Sequence, residues 1–178
     1  MNFFKKMKGT TQSPPRVGIS EAGWSWLGAF LGISLVGLVQ SLFVDQVGQG
    51  LLIGSFGATA VLVYGAIRSP LAQPRNVLGG HVLSAFIGVL SFKLVGDISW
   101  LASALAVSTA IAVMHMTKTL HPPGGATALI AVIGGDSVHK LGYFYAFIPV
   151  GLGAVILLGV ALLVNNCAKN RRYPEFWL

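Results

Sequence analysis

The residues best suited to chemistry lie in two glycine-rich stretches. One is His121-Pro122-Pro123-Gly124-Gly125-Ala126-Thr127. Two prolines fix backbone angles and remove two N–H donors. That loss is harmless in the first turn of a helix, where those donors are unpaired in any case. A helix starting here has its first free N–H groups on Gly124, Gly125 and Ala126, and the glycines let a guest approach the backbone closely. A helix N-terminus carries roughly half a positive charge. Inside a bilayer, donors so placed must find protein, pore water or an anion. The second stretch is Gly54-Ser55-Phe56-Gly57-Ala58-Thr59. Ser55 has the side chain of an N-cap, and the helix it opens extends to Ile67. The plainer reading of both stretches is a turn between helices followed by close helix packing, with capping as the role of Ser55 and Thr127.

Polar residues beside these stretches admit two readings each. Arg75, flanked by Gln73 and Asn76, and Lys118, followed by Thr119, could draw an anion into a cytoplasmic vestibule or simply anchor the chain. Arginine is the better planar fork for an anion and lysine the better point charge. His121 caps or turns the chain, or carries a proton near neutral pH. His81 begins the third apolar window and His115 lies near a helix end, while His139 with Lys140 reads as loop. Asp45, Asp97 and Asp136 fall in expected loops, so carboxylate partners for a metal are scarce and no metal or cofactor is expected. Nor does any nucleophile–base pair with a recognisable spacing suggest an enzyme.

What must position these residues is a membrane. The chain has 178 residues of which only 10% are charged, and its mean hydropathy is +0.74. Soluble domains carry about 25% charged residues, so the surface suits lipid. The net charge of +7 sits mostly at the chain's ends, as anchors do, and no basic stripe suggests nucleic acid. The single cysteine, Cys167, excludes an internal disulfide. Ala22–Val44 is too long for a signal-peptide core and lacks a small-residue cleavage site, so it reads as a retained helix. Five further apolar windows follow: Leu51–Ile67, Val77–Phe92, Ile98–Met116, Pro122–Gly134 and Leu141–Ala168. The second and fifth are short, glycine-rich and open on residues that disfavour regular helix. Gly28-x-x-x-Gly32 in the first window, and Gly151, Gly153 and Gly159 in the last, read as packing surfaces.

The two short windows share a tetrapeptide, Gly57-Ala58-Thr59-Ala60 and Gly125-Ala126-Thr127-Ala128, at an offset of 68 residues. The same offset carries the third window into the sixth, so the chain reads as two halves of helix, broken segment, helix. If all six windows cross and the N-terminus is cytoplasmic, ten basic residues lie inside and only Lys93 and Lys140 outside. If the short windows are re-entrant, Arg68, Arg75, Lys118 and Lys140 fall outside. The positive-inside rule favours six crossings, and three per half implies inversion. Trp24, Trp26 and Trp100 sit at window edges, as an aromatic belt requires.

The stretch Leu120-His121-Pro122-Pro123-Gly124-Gly125-Ala126-Thr127-Ala128-Leu129 resembles the signature of the HPP family of integral membrane proteins. Gly54-Ser55-Phe56-Gly57-Ala58, then Ala72-Gln73-Pro74-Arg75-Asn76 and Gly79-Gly80, are similar to the rest of that family's pattern. The resemblance covers roughly Trp24 to Leu163. It implies four membrane spans, in conflict with the charge count. It also implies an activity like the nitrite transport of plant chloroplast and cyanobacterial members. Some members carry a C-terminal regulatory CBS pair, which the sequence up to Leu178 does not contain.

The expectation is an all-α integral membrane protein with one transmembrane domain over residues 21–168. Its inverted halves cover about 21–95 and 97–168, between cytoplasmic tails 1–20 and 169–178; four spans plus two re-entrant half-helices is the alternative. Its expected work is transport of a small inorganic anion, most simply nitrite, across a bacterial inner membrane. The site is placed near the midplane, lined by Ser55, Phe56, Gly57, Ala58, Thr59, His121, Pro123, Gly124, Gly125, Ala126 and Thr127. Arg75, Asn76 and Lys118 form its vestibule. Partners are the anion, the lipid bilayer and further copies of the chain, since about 19 kDa gives few helices to enclose a path. The rival is a membrane scaffold or regulatory subunit with no pathway.

Overall fold

A computed structural model describes residues 3–44 and 53–178. The described residues are helical, with no strand among them. After a short turn at Phe3–Met7, helix α1 runs over Ile19–Val39 and continues as a wider turn through Gln40–Val44. Helix α2, Ser55–Ala60, loosens into a wide turn at Val61–Gly65. Helices α3, Pro74–Val95, and α4, Ser99–Met116, follow. Helix α5 is Pro122–Ile133, and the short α6, Asp136–Leu141, leads through Gly142–Gly151 into α7, Leu152–Cys167.

Among the described residues, four helical stretches are long and apolar enough to cross a membrane: Ile19–Leu42, Pro74–Val95, Ser99–Met116 and Asp136–Cys167; Ser55–Gly65 and Pro122–Ile133 are shorter apolar helices. Two expectations are corrected here. His139, Lys140 and Asp136 lie in α6 rather than in a loop. The sixth window is not one straight helix, because Ile148 takes an extended backbone (φ −132°, ψ 120°) just before Pro149, whose ring cannot continue an undistorted helix. Asp45 and Leu51 lie outside the described residues.

The helices pack through small residues, as expected where lipid removes the hydrophobic drive between them. Ala102, Ala106 and Ala110 form a buried stripe on α4, packed with Met114, Ala128 and Val132. Gly28 and Gly32 of α1 receive the ring of Tyr64, whose hydroxyl donates to Leu157 O (2.9 Å). Gly153 of α7 receives Phe56. Gly88 of α3 lies against the backbone of Ala128, and Gly124 against that of Gly80. Large apolar side chains such as Trp26, Phe30, Leu38, Ile111 and Leu163 face outward, as lipid contact requires.

The two chain ends meet. Arg171, after α7, binds Glu21 in the first turn of α1 (2.7 Å). It also donates to Tyr64 O (3.2 Å) and Asn165 Oδ1 (2.9 Å). The tail folds back over the α2–α3 connection: Tyr173 Oη donates to Ala72 O (2.6 Å) and Glu175 N to Gln73 Oε1 (2.8 Å). Burial pushes the Tyr173 phenol up, so it stays a donor. The α4–α5 connection joins the same end, since Asn76 Nδ2 donates to Leu120 O (2.9 Å). At the other end of α3, Phe92 stacks on His139 at 3.7 Å and Lys93 lies over the Tyr143 ring at 5.5 Å.

Candidate functional site

Where α2, α3 and α5 meet, the apolar interior gives way to a knot of hydroxyls and imidazoles. Each has a local reason for its position. Thr59 and Thr127 lie on the inner faces of α2 and α5, one turn into each, and both donate to the carbonyl four residues earlier: Ser55 O and Pro123 O, each at 3.2 Å. Between them stands His81 of α3. Its Nε2 is 2.7 Å from Thr59 Oγ1 and its Nδ1 is 2.7 Å from Thr127 Oγ1. His121, the residue before α5, sends its ring back across the cluster. Its Nε2 is 3.0 Å from Thr59 Oγ1 and its Nδ1 is 2.8 Å from Leu71 O. The single Thr127 hydroxyl proton is also within reach of Ser55 Oγ (2.9 Å) and is shared among these neighbours, while Tyr145 Oη donates to Thr127 O (3.3 Å). The two imidazole rings cross at 4.9 Å between centroids, and Phe56 closes the cluster with its edge on His81.

All these side chains are buried. The Leu71 carbonyl can only accept, so His121 Nδ1 carries a proton and a neutral His121 presents a bare Nε2 to Thr59. Every link between two side chains of the cluster joins groups that can each give or take a proton. Ionisable side chains inside membrane segments are rare and mark ion pathways or proton relays by default.

The structure divides the residues picked out from the sequence. Ser55, Phe56, Thr59, His121, Pro123, Gly124 and Thr127 are buried around the cluster. Gly57 and Ala58 turn away from it and are exposed, with open space where a Gly57 side chain would stand. Gly125 and Ala126 line an apolar groove of about 410 Å³ with Val107, Ile111, Met114 and Leu129. Two assigned roles are corrected. Ser55 is the first residue of α2 rather than its cap, which is Gly54. Thr127 is too far along α5 to cap it and bonds His81 instead. The polar groups that converge are therefore side chains, while Gly57 of α2 and Gly125 of α5 face away from them within one protomer.

The vestibule residues sit at the end shared by the chain termini. Asn76 is buried and holds the α4–α5 connection. Lys118 is exposed, with its backbone in the left-handed region (φ 57°). Arg75 is half-buried. Arg75 Nε, Asn76 Oδ1 and Ser84 Oγ are buried without a hydrogen-bond partner among the described residues, and all three belong to α3. Nearby, Arg68, Lys169, Arg171 and Arg172 line a basic hollow of about 690 Å³ with Asn170 and Glu175.

Sequence reasoning misses two residues of consequence. His81 reads as the start of a helix, although it is the one histidine well inside an apolar window. Arg171 belongs to the basic residues at the chain's end that read as anchors, but its side chain is 1% exposed. Nothing in its local sequence marks it, because Glu21 is 150 residues away.

The chain matches the model of the family described as "HPP, transmembrane region" over residues 14–174. It is 47% identical over 180 residues to one transmembrane protein of Dictyostelium discoideum and 44% identical over 182 residues to another; each match covers 99% of this chain. It spans only 58% and 64% of the length of those relatives. No solved structure matches it significantly.

Proposed function

We propose, from the premise that the chain belongs to the HPP transmembrane family, that it carries a small inorganic anion across a membrane through the His81–His121 cluster. The observation that carries this reading is the cluster itself: Ser55, Thr59, His81, His121 and Thr127 buried together where two broken segments meet α3. Burying polar groups in an apolar membrane protein is costly and is kept where it serves a pathway. Paired broken segments mark transport sites in other transporter folds.

The sign of the cargo follows from the donors. Arg75 Nε and Ser84 Oγ lie buried on α3 without partners among the described residues, and the basic hollow at Arg68, Lys169 and Arg172 would concentrate anions at the mouth. Six crossings with inverted halves is the topology that suits this reading. In its favour, Arg68, Arg75, Lys118, Lys169, Arg171 and Arg172 all gather toward the end where the termini meet, with that end cytoplasmic. Self-association would cover the outward glycine face of α2. The two relatives come from Dictyostelium, so they lend no support to a bacterial inner membrane in particular.

Nitrite is the first substrate to try, because the HPP pattern resembles that of nitrite transporters. Purified chain in proteoliposomes should take up nitrite faster than protein-free vesicles, with nitrate and formate as rivals. Uptake of all three at the protein-free rate would refute transport of this anion class. The rival reading, a membrane scaffold without a pathway, draws on one observation: Gly57 and Ala58 face outward rather than lining a path.

A further inference from the structure

The cluster is more than a set of buried polar groups, because its bonds run end to end. Ser55 Oγ lies 2.9 Å from Thr127 Oγ1, which lies 2.7 Å from His81 Nδ1. His81 Nε2 lies 2.7 Å from Thr59 Oγ1, which lies 3.0 Å from His121 Nε2, and His121 Nδ1 reaches Leu71 O at 2.8 Å. The five side chains are buried, yet Gly54 beside Ser55 and Pro70 beside Leu71 are exposed. We propose that this line of hydroxyls and imidazoles is a proton relay between its Ser55 end and its Leu71 end. Resting on the transport reading above, a proton then accompanies each anion, so that the pair crosses without net charge.

The proton count closes. In the neutral relay, Thr127 O–H donates to His81 Nδ1, His81 Nε2–H to Thr59 Oγ1, Thr59 O–H to His121 Nε2, and His121 Nδ1–H to Leu71 O. Ser55, whose O–H donates to Thr127 Oγ1 in this state, takes a proton from water and passes its own to Thr127 Oγ1, and the proton Thr127 held passes to His81 Nδ1. His81 then releases its Nε2 proton to Thr59, and Thr59 releases its own to His121 Nε2. Every bond between Thr127 and His121 has reversed. Thr127 now donates to Ser55 Oγ, in the direction its geometry favours, and His121 holds both ring protons. Loss of the Nδ1 proton to water at the Leu71 end leaves both rings neutral in the opposite tautomers, and each ring returns to its first tautomer by giving one proton to water and taking one from water, with no proton sent back along the line. One proton has then moved and no bond between heavy atoms has changed.

A purely structural knot would not need this chemistry. Fixed donors and acceptors such as amides satisfy one another as well, but each interior link here is amphiprotic. Beside the two imidazoles, the titratable neighbour from another element is Tyr145, of the segment before α7, whose Oη donates to Thr127 O. Tyr64, in the wide turn after α2, is bonded away to Leu157 O. Lys118 and His115 lie exposed at the end of α4. Helices α4, α5 and α7 bring no carboxylate to the cluster, so a proton on His121 lacks a resident counterion there. A passing anion supplies that charge.

The test uses the full chain in vesicles with an entrapped pH dye, the membrane voltage clamped by potassium and valinomycin, and protein-free vesicles subtracted. Nitrite or nitrate is added outside, and anion uptake and internal acidification are read together. The expected result is that both occur, that Thr59→Val lowers acidification by about tenfold or more, and that Thr59→Ser, which restores the hydroxyl, recovers it. Thr127→Val is a second break in the same line if Thr59→Val fails to fold. Anion uptake without acidification would overturn the relay and leave transport standing. Acidification without anion uptake, lost in Thr59→Val, would keep the relay and refute the transport reading. A folded Thr59→Val chain with undiminished acidification would overturn the relay, as would the absence of both fluxes in the wild-type chain.

Discussion

The segments 57–60 and 125–128 are identical in sequence, yet the helices that carry them are held by opposite means. Helix α5 is fixed by backbone contact: Gly124 lies on Gly80, and Gly88 on Ala128. Helix α2 is wedged by side chains, with Phe56 in the notch of Gly153 and Tyr64 in that of Gly28 and Gly32. It is only six residues long before it loosens, and Arg171 ties down the Tyr64 carbonyl in the wide turn that continues it. The two threonines nevertheless reach opposite nitrogens of one imidazole. His81 is thus gripped between a helix that cannot approach closer and one whose seat depends on a few side chains.

That contrast can be broken most severely at Arg171. Arg171→Ala leaves Glu21, Asn165 Oδ1 and Tyr64 O without their donor. It should cost about 2–4 kcal/mol, since two buried carbonyl acceptors lose a charged donor, while Glu21, 37% exposed, regains water. A thermal shift in detergent measures it, and α2 should lose protection from hydrogen exchange before α5 does. Next comes Gly88→Val, whose side chain would meet the backbone of Ala128. Overpacking of this kind costs about 1–3 kcal/mol and should loosen α5 first, read by the same exchange experiment. Thr127→Val keeps the shape of the residue and removes one buried hydroxyl, at about 1 kcal/mol. The smallest effect is expected at Gly57→Val, which points into open space and should stay within about 0.5 kcal/mol in dilute detergent. A large loss of self-association in that variant would instead locate a contact between protomers on this face.

Much of this arrangement was legible beforehand. Hydropathy alone marks the helical stretches, because a span needs its apolar run whatever its neighbours do. The 68-residue offset alone pairs Thr59 with Thr127. What could not be read was the rotation of each short helix. Glycine, alanine and threonine suit an inner or an outer face equally well in lipid, so Gly57 and Gly125 drew attention that belonged to the threonines beside them. His81 was readable in principle, as a lone titratable group within an apolar run. The pairing of Arg171 with Glu21 joins the two ends of the chain, and only the fold brings them together.

The most direct measurement is nitrite uptake by proteoliposomes carrying the wild-type chain or His81→Phe, which fills the ring's place and removes both nitrogens. The variant, shown to be folded by circular dichroism and gel filtration, should fall to the rate of protein-free vesicles. A folded His81→Phe chain that transports as fast as wild type would contradict it.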